Sequence, residues 1–358
     1  MKTLNKPAYL KVKQSVVSFD LRRPLYEPNN GATSWYAEIP LGTPPQEPLR
    51  FMIDTGTANT WITSALCTTS ACAPHRKFNP RTSNSYQQTG PKKDISFGTW
   101  GTMTVLPSLD FITLNGLPQS MPIQFYISTS YNGQQFQELI CDGGIGIPAN
   151  VPEGNHSTEI LNVLKEEGLI EYAIASFYYD RATRTGQALF GAIDRTKFDP
   201  NTVNILPIND NFANDKECWL VNLESMSGVF GNGSKETMMT DVVFALDTGS
   251  SRFKGGHKFI NAAKATITNN GQYPESIKSP DQISDYPYPD LELVFNNRPY
   301  IIPPEKYFIQ VSENEWELAF AFMEDMEDEF LVGTTFLESV YSIFDYDNRC
   351  IILAEPLT

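Results

Sequence analysis

Histidine is scarce: three in 358 residues, with no pair at metal-ligand spacing. A His-based metal centre is therefore not expected, and no cofactor is read. Positive charge is scarce as well. Lys and Arg number 27 against 42 Asp and Glu, which gives a net charge of −15. Phosphate backbones need clustered basic residues, so nucleic acid is not an expected partner. No apolar run approaches the roughly 18 residues of a membrane span, so no membrane partner is read. The first seven residues carry lysines but no apolar core, so no secretory leader is read. That favours a cytoplasmic location, with secretion only if a leader has been removed. Cysteine is limited to five, an odd count, so at least one thiol stands outside any intramolecular disulfide. No Gly-x-Ser-x-Gly elbow occurs, which removes the commonest serine-hydrolase signature. The glycines at 143, 144 and 146 lack both the spacing and the βαβ context of a dinucleotide loop.

Long helical periodicities are few, while 23 Gly and 25 Pro are spread along the chain. Many turns between short apolar runs predict a mainly β protein. Hydrophobic residues make up 41%, enough for a packed core in a chain of this length.

One short phrase occurs twice. Phe51-Met52-Ile53 runs into Asp54-Thr55-Gly56-Thr57, and Phe244-Ala245-Leu246 runs into Asp247-Thr248-Gly249-Ser250. Each is an apolar run, read as a buried strand, that ends in a carboxylate on a glycine turn. A single copy would be an ordinary surface turn. Two copies, 193 residues apart (247 minus 54), are harder to dismiss. Each is also followed by a glycine in an apolar stretch: Gly146, 92 residues after Asp54 (146 minus 54), and Gly333, 86 after Asp247 (333 minus 247). An internal order repeated once predicts two similar lobes whose turns meet at the seam.

From about Trp35 to the end, the chain resembles the pepsin-like aspartic proteases, bacterial pepsin homologues included. The resemblance rests on both Asp-Thr-Gly phrases, Gly42-Thr43-Pro44 before the first, Asp142-Gly143 with Gly146, and Val332-Gly333 with Phe336. It implies a bilobal acid protease fold of two pseudo-twofold-related β lobes with short helices. Residues 1–34 would be an N-terminal strand region or a short pro-like segment, 35–199 the first lobe with its flap, and 200–358 the second. Asp54 and Asp247 would be the catalytic pair. Two carboxylates about 3 Å apart cannot both ionise, as in pepsin, the standard example. One then holds a proton while the other activates water. Thr55 and Thr248 would bond across the seam, Gly56 and Gly249 would admit the backbone, and Thr57 and Ser250 would donate to the outer carboxylate oxygens.

The same resemblance implies a flap hairpin around Phe97, Gly98 and Thr99, with Phe97 where the family has tyrosine. It assigns substrate binding to these three with Met52, Trp61 and Ile145, and a disulfide to Cys67 and Cys72. Cys141 and Gly144 stand where larger apolar side chains line S1, which predicts a roomier S1. Thr334 replaces an aspartate tied to acidic optima, which predicts a milder one. Arg252 and Lys254 are expected to point to solvent. The implied activity is endopeptidase cleavage of peptides or proteins next to hydrophobic residues, by a monomer that binds pepstatin-type inhibitors. The alternative is a catalytically weak or silent relative that uses the cleft to bind. Further readings are strands at 10–12 and 16–19, helices at 157–168, capped by Ser157 and closed by Gly168, and at 258–265, with solvated acid at 324–329.

Overall fold

The strands that carry the two phrases are apolar because sheet neighbours and side chains cover them. Leu49–Asp54 is buried from Phe51 to Asp54. Ala37–Ile39 pairs antiparallel on one edge and Gly143–Gly146 in parallel on the other. A strand enclosed in this way reads as a continuous apolar run, not an alternating one. Lys235–Leu246 ends the same way, between antiparallel Trp219–Val229 and parallel Glu329–Val332. The computed structural model describes residues 7, 16–27, 31–97, 100–151, 155, 157–209, 217–323 and 329–357. A strand read at 10–12, the flap residues Gly98 and Thr99 and the acidic run 324–328 lie outside them.

The likeness of the two halves extends through five strands. Beyond Gly143–Gly146 comes antiparallel Trp61–Ile62, then parallel Met121–Asn132. Beyond Glu329–Val332 comes antiparallel Phe253–Gly255, then parallel Phe320–Phe322. Five strands thus follow in the same order with the same four pairing senses in both sheets. Longer hairpins extend each sheet at its outer edge. Thr102–Ile112 joins Met121–Asn132 in the first, and Asp290–Phe295 with Arg298–Ile302 joins Trp219–Val229 in the second.

A third, six-stranded antiparallel sheet draws on both halves of the chain. Its order is Val17–Arg22, Thr185–Phe190, Ile174–Asp180, Tyr341–Asp345, Cys350–Ala354 and Asn204–Pro207. The strand expected at 16–19 is Val17–Arg22, which alternates buried Val17, Phe19 and Leu21 with more exposed residues. A core of apolar side chains runs continuously from this sheet into both others. Trp219 sits within it, its indole N–H donating to the Ile147 carbonyl at 2.9 Å.

Helices are short. Ile160–Glu166 buries Ile160, Leu161 and Leu164, the face the sequence picks out. Gly168 has φ of +67°, the left-handed conformation that suits a glycine just past a helix. The expected Ser157 cap is not made. Glu159 holds the N-cap position without a side-chain capping bond, and Ser157 Oγ instead accepts from the Thr60 amide at 3.1 Å. The second helix is His257–Ile267, longer at both ends than read. Cys67 and Cys72 are disulfide-bonded, with Cα atoms 6.1 Å apart.

A buried ionic network ties the chain start to its end. Arg23 pairs with Glu27 at 2.6 Å and with Glu338 at 2.9 Å. Glu338 Oε1 also accepts from the Trp35 indole at 2.8 Å.

Candidate active site

Each phrase turns sharply at its glycine, and the turns interlock. The Thr55 amide donates to Thr248 Oγ1 at 3.0 Å, and the Thr248 amide to Thr55 Oγ1 at 2.9 Å. Each hydroxyl then donates to the opposite strand, Thr55 to the Leu246 carbonyl at 3.1 Å and Thr248 to that of Ile53 at 2.6 Å. Both threonines are buried, so these four bonds are shielded from competing water.

The glycines explain why no other residue fits. A Cβ on Gly56 would lie 2.7 Å from Asp247 Cγ, and one on Gly249 only 2.3 Å from Asp54 Cγ. Each carboxylate therefore rests against the other phrase's glycine. The amide two residues on donates to it, Gly56 to Asp54 Oδ1 and Gly249 to Asp247 Oδ1, both at 2.8 Å. The two carboxyl groups therefore face one another across the seam. Gly146 and Gly333 back these turns. A Cβ at Gly146 would strike the Thr57 carbonyl at 2.6 Å, and one at Gly333 the Ser250 carbonyl at 2.0 Å.

Burial and mutual repulsion hold the Asp54 carboxyl well above the ordinary carboxylate range, against the Gly56 amide, which favours the anion. Burial also raises Asp247, but the Lys254 ammonium and the Gly249 amide oppose it. Charge therefore favours the anion on Asp247 and the shared proton on the Asp54 side, although the pair titrates as a unit.

Several expected roles differ. Among the described residues neither Thr57 nor Ser250 donates to a carboxylate. Thr57 Oγ1 accepts from the Asn59 amide at 3.1 Å, and Ser250 Oγ donates to the Gly31 carbonyl at 3.2 Å. Met52, Trp61 and Ile145 are buried at 1% exposure or less, so they support the cleft floor instead of lining it. Ile145 belongs to the main core. The room expected beside Gly144 is filled, since a Cβ there would meet Trp61 Nε1 at 2.8 Å. Cys141 is fully buried, its thiol 3.9 Å from the Trp35 carbonyl.

The flap strands are Lys93–Ser96 and Thr102–Ile112. At their end the Phe97 amide donates to the Gly101 carbonyl at 2.8 Å, and Gly101 has φ of +107°. Phe97 packs edge-on against Trp61, ring centres 5.9 Å apart. Trp61 Nε1 is buried and, among the described residues, has no hydrogen-bond partner. Phenylalanine in place of tyrosine leaves no hydroxyl on this ring to accept from it.

Neither cation near the second phrase points simply to solvent. Arg252 is buried and pairs with Glu317 at 3.3 Å. Lys254 turns toward the carboxylates, and burial lowers its ammonium to about 8 against the pull of Asp247. Strand alternation carries the signal for this. Phe253 faces the core, so Arg252 and Lys254 must share the opposite face. Glu217, which the sequence reading passed over, caps the first turn: its Oε2 accepts from the Ala58 amide. Thr334 backs the second turn, its amide donating to the Ser250 carbonyl at 2.8 Å.

Residues 34–356 match the model of the eukaryotic aspartyl protease family. The chain is 29% identical to chicken (Gallus gallus) embryonic pepsinogen over 326 residues, 90% of this chain and 80% of that one. It is 26% identical to dog (Canis lupus familiaris) pepsin A, covering 89% and 80%. It is also 26% identical to sheep (Ovis aries) chymosin, covering 91% and 81%. With a repeated five-strand plan, two interlocked Asp-Thr-Gly turns and a match over nearly its whole length, the chain belongs to the eukaryotic aspartyl protease family.

Proposed function

We propose that the protein is an active aspartic endopeptidase, with residues 35–199 and 200–358 as its lobes and Asp54 and Asp247 as its catalytic pair. The observation that carries this reading is the reciprocal packing of each carboxylate on the opposing glycine, which holds two acids together in a buried seam.

In this reading one proton is shared and a water is bound between the carboxyls. Lys254 favours the anion on Asp247, which makes Asp247 the base that takes a proton from water. Asp54, held protonated by burial, donates to the peptide carbonyl oxygen as the tetrahedral carbon forms. A proton then passes to the leaving nitrogen as the C–N bond breaks. No covalent intermediate forms. The Thr55–Thr248 lattice keeps both turns in place, so little reorganisation is needed during the reaction.

The substrate is a peptide or unfolded protein segment with hydrophobic residues at the cleaved bond, and a pepstatin-type inhibitor competes for the cleft. A second reading, a binding protein with little turnover, draws on the unpartnered Trp61 indole and on Lys254 beside the acids. Hydrolysis of a quenched fluorescent peptide between pH 3 and 7 separates the two. The proposal expects turnover that a pepstatin-type inhibitor abolishes. Tight peptide binding without turnover favours the second reading.

A further inference from the structure

Two charged side chains flank the dyad, and neither is itself the acid or the base. The Lys254 tip lies against Gly31, where a Cβ would meet its Cε at 2.9 Å and its Nζ at 3.1 Å. The Gly31 carbonyl in turn accepts from the Ser251 amide at 3.0 Å. The ammonium therefore reaches the turn just after Asp247 and interacts with both carboxylates. It is partly exposed. The second charge is Glu217, also partly exposed, on the Ala58 amide.

The internal symmetry fixes where these charges sit. Ala58 stands four residues after Asp54, and Ser251 four after Asp247. The twofold that exchanges the phrases exchanges these amides, and so also their acceptors, the Glu217 carboxylate and the Gly31 carbonyl. Those acceptors therefore occupy opposite sides of the dyad. Lys254 rests on Gly31, so one side carries a cation and the other a carboxylate. Gly31 leads into Trp35, whose carbonyl meets Cys141. The cation thus lies on the side where the family resemblance puts S1.

We propose that Lys254 is a specificity determinant that selects peptides with a carboxylate on the N-terminal side of the cleaved bond. Glu217 gives the selection its direction, because it repels the same carboxylate on the other side. The physical basis is Coulomb attraction in a cleft with a dielectric well below that of water. Arg252 cannot do the same, because it is already paired with Glu317. The inference rests on the proteolytic reading of the cleft, but binding alone can test it.

The test uses fluorescent peptides whose central amide is reduced to a methylene-amine, so that they bind without being cleaved. Asp or Asn is placed in turn at each of three positions before and after that bond. Affinity is measured by anisotropy at pH 6, where a peptide Asp is ionised and Lys254 is protonated. The expected result is about tenfold tighter binding of Asp over Asn at one or more positions before the bond and at none after it. That preference disappears in Lys254→Met, survives in Lys254→Arg and shrinks in 0.5 M salt. Equal Asp and Asn affinities in the wild type, a preference that persists in Lys254→Met, or no peptide binding at all would overturn the proposal. Turnover of the neutral, cleavable parent peptide is recorded separately. A failure there counts against proteolysis, and a failure of the Asp/Asn ratio counts against Lys254.

Discussion

At the residue scale, two positions carry sharp predictions. Gly249 has no room for a methyl group, since Asp54 Cγ would be 2.3 Å away. Gly249→Ala must push one carboxylate out of register, and a displacement of this kind costs about a hundredfold in rate. A fall in kcat/KM of that order, with an unchanged circular dichroism spectrum, is expected. The second position is Lys254, whose ammonium acts on Asp247 and Asp54. Its charge stabilises the anionic dyad, so removing it raises both apparent pKa values of the pair. The kcat/KM profile of Lys254→Met should therefore shift to higher pH on both limbs. An acidic shift would mean that the cation does not act on the dyad. The sequence made Asp54 and Asp247 legible because the phrase repeats. The aim of Lys254 could have been read from Phe253, whose core-facing side chain sends its neighbours the other way.

At the element scale, the flap hairpin and the Trp61 strand form one packed unit of Phe97, Trp100, Phe136, Tyr131 and Trp61. Its weak point is the unpartnered Trp61 N–H, since a buried donor without an acceptor is costly. Phe97→Tyr supplies a hydroxyl at the ring that already meets the indole, and should raise kcat/KM about fivefold, equivalent to about 1 kcal/mol. A lower kcat/KM would show that the apolar contact matters more than the missing bond. Strand and hairpin positions were readable because burial alternates or runs continuously with sheet position. The cap of Ile160–Glu166 was not. Ser157 satisfies a cap pattern locally, but a tertiary partner, the Thr60 amide, takes its hydroxyl.

At the scale of the whole molecule, the lobes are joined by more than the catalytic seam. The six-stranded sheet mixes strands from both halves, and the Arg23–Glu27–Glu338 network locks the chain start to residues more than 300 positions later. No local pattern announces such a contact, so it is invisible until the chain is folded. Arg23→Met leaves buried Glu27 without its ion-pair partner and Glu338 with Arg181 alone, at 3.8 Å, and should cost about 3 kcal/mol in urea unfolding at pH 7. Burial raises Glu27, so it takes up a proton early as pH falls, and the penalty should shrink toward acid. The account as a whole rests on two acids meeting at one proton, and turnover of Asp54→Asn and Asp247→Asn tests that most directly. Each variant should lose about a thousandfold in kcat/KM. Each should also melt no lower than wild type at pH 7, because a raised carboxyl pKa costs stability as pH rises and the neutral amide avoids that cost. A folded variant of either kind that still cleaves peptide at the wild-type rate would contradict the account.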